Sequence, residues 1–420
     1  MTNLTQKCSQ QFLGAAMRVV TLALFLMVFG ASAALAQTRG YVTNALDNTV
    51  SVIDVATSTV IDTVPVGTRP FGVAVTPNGS FIYVANALDN TVSVISATSN
   101  SVITDVPVGV GPTTLAITPN GAFVYVLNIL DNTVSVIDTA TNTMTATVPV
   151  GTGAGGIAIT PNGAFVYVAN NNSSTVSVID TTTNTVVTTI GVPSPGFLDI
   201  TPNGAFVYVP NFSSANTVTV IDTATNTVTG TIPVGTFPGA VAITPNGAFA
   251  YVLNAGNQNV SVIDTSTNAV TTTVTVGAAP GGIAVTPNGD FVYVTNQSDG
   301  TISVISTATN TVTTTISVGG NPAFVDFGVL PPSPTSALNA QVLALIAAGT
   351  LTQSQGDTLL AKLDQLNVKL ASGQPGAACN QLNSFINHVI SLSNNGPLTQ
   401  AEGRSLIDAA IAVGVGLGCR

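Results

Sequence analysis

Thr76-Pro77-Asn78-Gly79-Ser80-Phe81-Ile82-Tyr83-Val84-Ala85-Asn86 decides the fold, because nearly the same string returns down the chain at intervals near 42 residues. Thr-Pro-Asn-Gly begins at Thr76, Thr118, Thr160, Thr201, Thr244 and Thr286. All seven tyrosines share one repeat position: Tyr41, Tyr83, Tyr125, Tyr167, Tyr208, Tyr251 and Tyr293. Three residues after each stands an asparagine: Asn44, Asn86, Asn128, Asn170, Asn211, Asn254 and Asn296. A fixed period of this length marks a repeat architecture.

Each unit reads as four short β segments. Phe81–Val84 is followed by the Leu88-Asp89-Asn90 loop. Val92-Ser93-Val94-Ile95 then alternates apolar and polar residues, the period of a strand. A Thr/Asn turn leads to Ser101–Thr104, Gly109–Pro112 breaks the chain, and Leu115-Ala116-Ile117 makes the fourth segment. The Pro-Asn-Gly turns suit hairpins, since Asn and Gly tolerate positive φ. Val, Ile and Thr dominate every segment. Four antiparallel strands per unit describe a propeller blade. The first unit lacks an inner strand, and Pro322–Phe327 supplies an extra one after the last. Counted together, they predict an all-β seven-bladed propeller whose final inner strand closes the ring, which leaves no free sheet edge.

These units resemble the YVTN family of β-propeller repeats, named for the string at Tyr41-Val42-Thr43-Asn44 and again at Tyr293-Val294-Thr295-Asn296. Thr133–Asp138 and Pro149–Gly151 match its longer consensus. The resemblance implies the propeller fold and kinship with surface-layer and other exported proteins. Any link to propeller lactonases is an analogy of fold.

The chain has 420 residues, 6% of them charged, and a net charge of −10. Clustered Lys and Arg are missing, so nucleic acid and anionic membrane surfaces are poor partners. One His and three Cys leave little for a His/Cys zinc site. The only long apolar stretch is N-terminal. Lys7 and Arg18, the apolar run Val19–Phe29 and Ala34-Leu35-Ala36 read as a signal peptide over 1–36, cleaved between Ala36 and Gln37. The organisation expected is a propeller over 37–329, a Pro-rich linker over 330–335 and a helical domain over 336–420. No membrane span is expected after signal removal, and the address is extracytoplasmic.

In the last ninety residues Leu, Ala and Gln replace Val and Thr. Leu359, Leu363, Leu366 and Leu370 keep helical spacing, and Thr352–Gln355 and Thr399–Glu402 are capping boxes. The strings beginning at Gly349 and Gly396 repeat one another, which predicts two helical hairpins, a four-helix unit. Through Ala378–Leu382 and Phe385-Ile386 the region resembles the FIMAH-type domain. Cys379 and Cys419 are the two cysteines left after signal removal, and an exported chain favours their pairing.

The propeller holds no His, Cys, Lys or Glu, and its bases are Arg39 and Arg69. Nucleophile–base pairs and His-ligated metals are therefore unavailable there. Asp54, Asp138, Asp180, Asp222 and Asp264 read as turn caps, because Ser96 and Ser306 replace them in two blades. The asparagine column reads as bonding exposed backbone between strands. One departure stands out. Inner strands carry Ala74, Ala116, Ala158, Ala242 and Ala284, but Asp199 and Asp326 hold that position in the other two. They are candidates for a weak cation site near opposite sides of the channel. The preferred expectation is an exported, non-catalytic scaffold or binding module without a cofactor, meeting a protein or glycan through its loops. The alternative is a lactonase-like hydrolase with a channel cation held by Asp199 and Asp326.

Overall fold

The computed structural model describes residues 37–212, 215–330, 335–371 and 374–419. The signal segment, including Ala36, lies outside them. Two compact units emerge, one spanning Gln37–Pro331 and the other including Pro332–Arg420.

Among the described residues the first unit contains 28 strands in seven four-stranded antiparallel sheets. Blade one joins β28 (Pro322–Val329) to β1 (Thr38–Asn44), β2 (Thr49–Asp54) and β3 (Thr59–Pro65). The others follow in chain order: β4–β7 (70–107), β8–β11 (112–149), β12–β15 (154–191), β16–β19 (199–233), β20–β23 (238–275) and β24–β27 (280–317). Closure is by pairing of β28 with β1, in a register that sets Tyr41 opposite Asp326 and Val42 opposite Val325.

Sequence chemistry explains the blade. In the Thr-Pro-Asn-Gly turns only the glycine takes positive φ (Gly79, +69°). The asparagine contributes its side chain instead: Asn78 Oδ1 accepts from the Thr76 hydroxyl and from Ser80 N–H. Between the third and outermost strands the left-handed residue is Asn100, Asn142, Asn184, Asn226, Asn268 or Asn310, with Ser58 in blade one. The asparagine three residues after each tyrosine is buried. Its amide nitrogen donates to side chains of the adjacent strand, as Asn86 does to the Thr91 and Ser93 hydroxyls. The expected bond to backbone between strands is made by Asn44 and Asn296, whose Oδ1 atoms accept from Gly319 and Gly277 N–H.

Neighbouring blades lock through the tyrosines. Tyr83, Tyr125, Tyr167, Tyr208 and Tyr251 each donate a hydroxyl hydrogen bond to the left-handed asparagine of the next blade, at 2.6–2.8 Å. Burial pushes the Tyr83, Tyr125, Tyr167 and Tyr251 hydroxyls up to about 12. The Pro-Val-Gly glycine seats the next blade's asparagine: a Cβ on Gly109 would stand 2.5 Å from the Asn128 amide nitrogen. The pattern lapses on either side of blade one. There Arg39 takes Asn100, and the Tyr293 hydroxyl faces the Ser58 side chain without a well-formed hydrogen bond among the described residues.

The second unit contains α1 (Ser336–Ala347), α2 (Gln353–Ala371), α3 (Pro375–Asn395) and α4 (Gln400–Gly416), packed on Leu338, Leu359, Leu366, Leu382, Phe385 and Leu406. Thr399 and Glu402 form the expected capping box, and Thr352 bonds reciprocally with Gln355. Cys379 and Cys419 are bridged, with Cα atoms 5.5 Å apart. Among the described residues no helix is long and apolar enough to cross a membrane.

Two predictions follow from closure and from the lapse beside it. Ending the chain after Gly320 removes an inner strand burying Ala323, Val325 and Phe327. This should cost roughly 5 kcal/mol and lower the melting midpoint by roughly 10 °C relative to a chain ended after Leu330. Equal midpoints would reject closure by β28. Ser58→Asn places a residue suited to left-handed backbone, with a longer acceptor than serine, opposite the Tyr293 hydroxyl. Urea titration should show a gain of about 1 kcal/mol, and a loss would mean that the hydroxyl is not the deficit at this junction.

Candidate functional site

The inner strands converge on the channel, and two of them carry a carboxylate where the others carry alanine. The column is fixed by register: Ala74 stands opposite Tyr83, Asp199 opposite Tyr208 and Asp326 opposite Tyr41. Both aspartates are part-buried. Each reaches to the next blade's inner strand. Asp326 Oδ2 accepts from Val75 N–H at 2.8 Å, and Asp199 Oδ2 accepts from Ile243 N–H at 2.9 Å. Asp199 Oδ1 also accepts from Ile200 N–H at 2.7 Å.

Burial raises both carboxyls to about 6, even though the amide hydrogen bonds pull the other way. The turn aspartates behave oppositely. Asp138, Asp222 and Asp264 sit in solvent, and hydrogen bonds from their own turns hold them below the ordinary carboxylate value. The channel pair is shifted toward neutrality instead.

The structure adds a feature that the sequence reading missed. Phe71, Phe197 and Phe324 come from blades two, five and one, and their rings meet with centroids 4.9–6.4 Å apart. Inner-strand side chains from blades three steps apart can meet only in the channel. Blade five is irregular because Pro210 stands at a strand position filled in the other blades by residues with an N–H to donate. Its inner strand β16 shrinks to Asp199–Ile200. The freed backbone turns to β20, with Phe197 N–H donating to Gly239 O and Val241 N–H to Phe197 O. The available signal was a column in which phenylalanine replaces Gly, Thr or Ala.

A cation does not fit this donor set well. Each carboxylate is engaged by backbone N–H, and among the described residues no three His, Cys, Asp or Glu side chains gather. Carboxyls raised by burial to about 6 are suited to proton transfer. His388 lies apart from these groups, on α3. Burial and the nearby Lys362 ammonium lower its pKa.

A family model described as "Lactonase, 7-bladed beta-propeller" matches residues 27–148, 96–232 and 216–325. The FIMAH domain model matches residues 335–413. No curated protein matches the chain. Hydrazine synthase from Kuenenia stuttgartiensis is similar in structure, with a TM-score of 0.60 at 24% identity, covering 64% of this chain and 92% of that one. A functionally unknown protein from Desulfotomaculum acetoxidans gives 0.62 at 17%, covering 70% and 99%. A putative 6-phosphogluconolactonase from Bacteroides fragilis gives 0.60 at 16%, covering 71% and 99%. At these identities the structural likeness establishes the fold. The matched propeller model is the lactonase one, not the surface-layer-like YVTN family that the repeat strings resemble. The match also overturns the expectation that the chain is not an enzyme. Missing His, Cys, Lys and Glu ruled out nucleophile–base mechanisms but left carboxylate acid–base chemistry open.

The raised carboxyls set a pH dependence. With folded values near 6 and an ordinary value of 3.8, the folded chain binds more protons between these limits. Their contribution to stability is therefore fully present below about pH 4 and lost as pH rises through about 6. Asp199→Asn/Asp326→Asn keeps a carbonyl acceptor and removes the ionisation. Thermal melts should show the variant more stable than wild type at pH 8 and equal to it near pH 4. A variant less stable at pH 8 would reject the assignment.

Proposed function

The chain belongs to the seven-bladed β-propeller lactonase family, and from that premise we propose that it hydrolyses cyclic esters at the channel carboxylates Asp199 and Asp326. One observation carries the proposal. Five blades fill this column with alanine, while two carry an acid that burial disfavours in its charged form. A group that costs stability and is not demanded by the repeat belongs with function.

The chemistry needs one proton acceptor and one donor. Near pH 6 the pair holds, on average, one ionised and one protonated carboxyl. The ionised carboxylate takes a proton from water as its oxygen bonds to the lactone carbonyl carbon. The tetrahedral intermediate collapses, the ring C–O bond breaks, and the departing oxygen takes the proton of the other carboxyl. Lactone plus water gives one hydroxy acid, and the two carboxyls have exchanged roles. Their separate anchorage to Val75 and Ile243 amides keeps the two groups in fixed positions.

Export is part of the same proposal. Two features support it: the signal pattern over residues 1–36, and the Cys379–Cys419 bridge, which persists in oxidising compartments.

The test is a pH-stat assay over a panel of γ- and δ-lactones. Turnover should follow a bell centred near pH 6, and Asp199→Asn or Asp326→Asn should each lower kcat by about 100-fold. No turnover of any lactone, or turnover unchanged in both variants, would end this reading.

A further inference from the structure

We infer that Phe71, Phe197 and Phe324 form the apolar wall of this site and select uncharged, alkyl-substituted lactones over phosphorylated ones. The inference rests on the hydrolase reading for turnover, but its binding claim stands independently.

Phe324 precedes Asp326 by two residues, and Phe197 precedes Asp199 by two. A strand advances about 3.3 Å per residue, so the aromatic layer lies roughly 7 Å from the carboxyl layer. A lactone ring presented to the carboxyls would hold a ring substituent against the phenyl faces.

The repeat does not demand these rings, although Phe197 and Phe324 also touch the blade cores. Positions matching Phe197 and Phe324 hold Gly72, Thr114, Gly156, Ala240 and Gly282. Those matching Phe71 hold Thr113, Gly155, Gly196, Gly239, Gly281 and Ala323. Nor are the three rings sealed like the tyrosines. All three phenylalanines are part-buried, whereas the seven tyrosines are at most 1% exposed. Aromatic surface left partly open beside two functional carboxyls suits a hydrocarbon ligand.

A phosphorylated substrate needs Arg or Lys, or a cradle of N–H groups, to offset its anion. The propeller's two arginines are placed elsewhere. Arg39 is bonded to Ala97 O and Asn100 Oδ1. Arg69 stands on the exposed loop before β4, two residues from Phe71 and on the far side of the aromatic layer from the carboxyls. An ionised Asp199 or Asp326 would repel a phosphate.

The experiment uses the full secreted chain and calorimetry with 2-pentylcyclopentanone, a ketone that cannot be hydrolysed. Hydrolysis of δ-decalactone and 6-phosphoglucono-δ-lactone is assayed in parallel. Wild type should bind the ketone, Phe197→Ala should bind it about tenfold more weakly, and Phe71→Leu should be intermediate. δ-Decalactone should be hydrolysed at least about tenfold faster in kcat/KM than the phosphorylated lactone. The inference is overturned if wild type does not bind the ketone, if both phenylalanine variants bind it as wild type does, or if the phosphorylated lactone is preferred. Should Phe197→Ala fail to fold, unchanged binding by Phe71→Leu overturns it alone. Phenylalanine-dependent ketone binding without turnover of any lactone would remove the hydrolase reading and leave the apolar site in place.

Discussion

A blade of this propeller can bury its faces only against its neighbours, so the tyrosine hydroxyl that crosses to the next blade's asparagine is the constraint on which the rest depends. It requires a tyrosine at one repeat position and an asparagine able to take left-handed backbone in the turn before the next blade's outermost strand. The buried asparagine of the neighbouring blade, packed against the Pro-Val-Gly glycine, fixes the same interface on its other side. A buried hydroxyl without a partner costs free energy, so each substitution in one column weighs on its partner column next door. That coupling keeps the repeats alike. It also explains why departures concentrate in blade one, where the two ends of the chain meet, and in the inner strands, whose free edges border the channel.

The fold was legible because the period writes the same requirements seven times. Strand number, closure by the last strand, the helical tail with its Thr399–Glu402 cap, and the cysteine pair each rest on local chemistry visible in the string. The site was legible only in part. Asp199 and Asp326 stood out because they break an alanine column, but nothing in the string says that their oxygens reach Ile243 and Val75 amides. The aromatic layer escaped notice for a physical reason. Phe71 sits one place out of register with Phe197 and Phe324, so no single column holds all three. Their meeting depends on ring closure, which brings blade five across from blades one and two. The function was not legible: a propeller without His, Cys, Lys or Glu suggests no catalysis, whereas the family match points toward a hydrolase-like enzyme.

The irregularity of blade five and the proposed chemistry belong together. Pro210 removes a ladder donor, and the inner strand loses most of its pairing within its own sheet. Its backbone takes hydrogen bonds from blade six instead. The same segment delivers Phe197 and Asp199 to the channel. Local disorder of the repeat is thus confined to the segment that carries unrepeated side chains, as expected where function competes with pattern.

The Thr-Pro-Asn-Gly turns have a consequence for the lifetime of the molecule. Asn-Gly is the dipeptide most prone to spontaneous deamidation, in which the glycine nitrogen attacks the asparagine side-chain carbonyl and closes a succinimide. The propeller carries six such pairs, all at exposed turns. In every one the glycine N–H is held by the threonine carbonyl, at 2.7–2.8 Å. The asparagine oxygen is held by the threonine hydroxyl, as Asn120 is by Thr118 and Asn246 by Thr244. Nucleophile and target are thus each restrained by the same residue, so the threonine that shapes the turn also slows its chemical ageing.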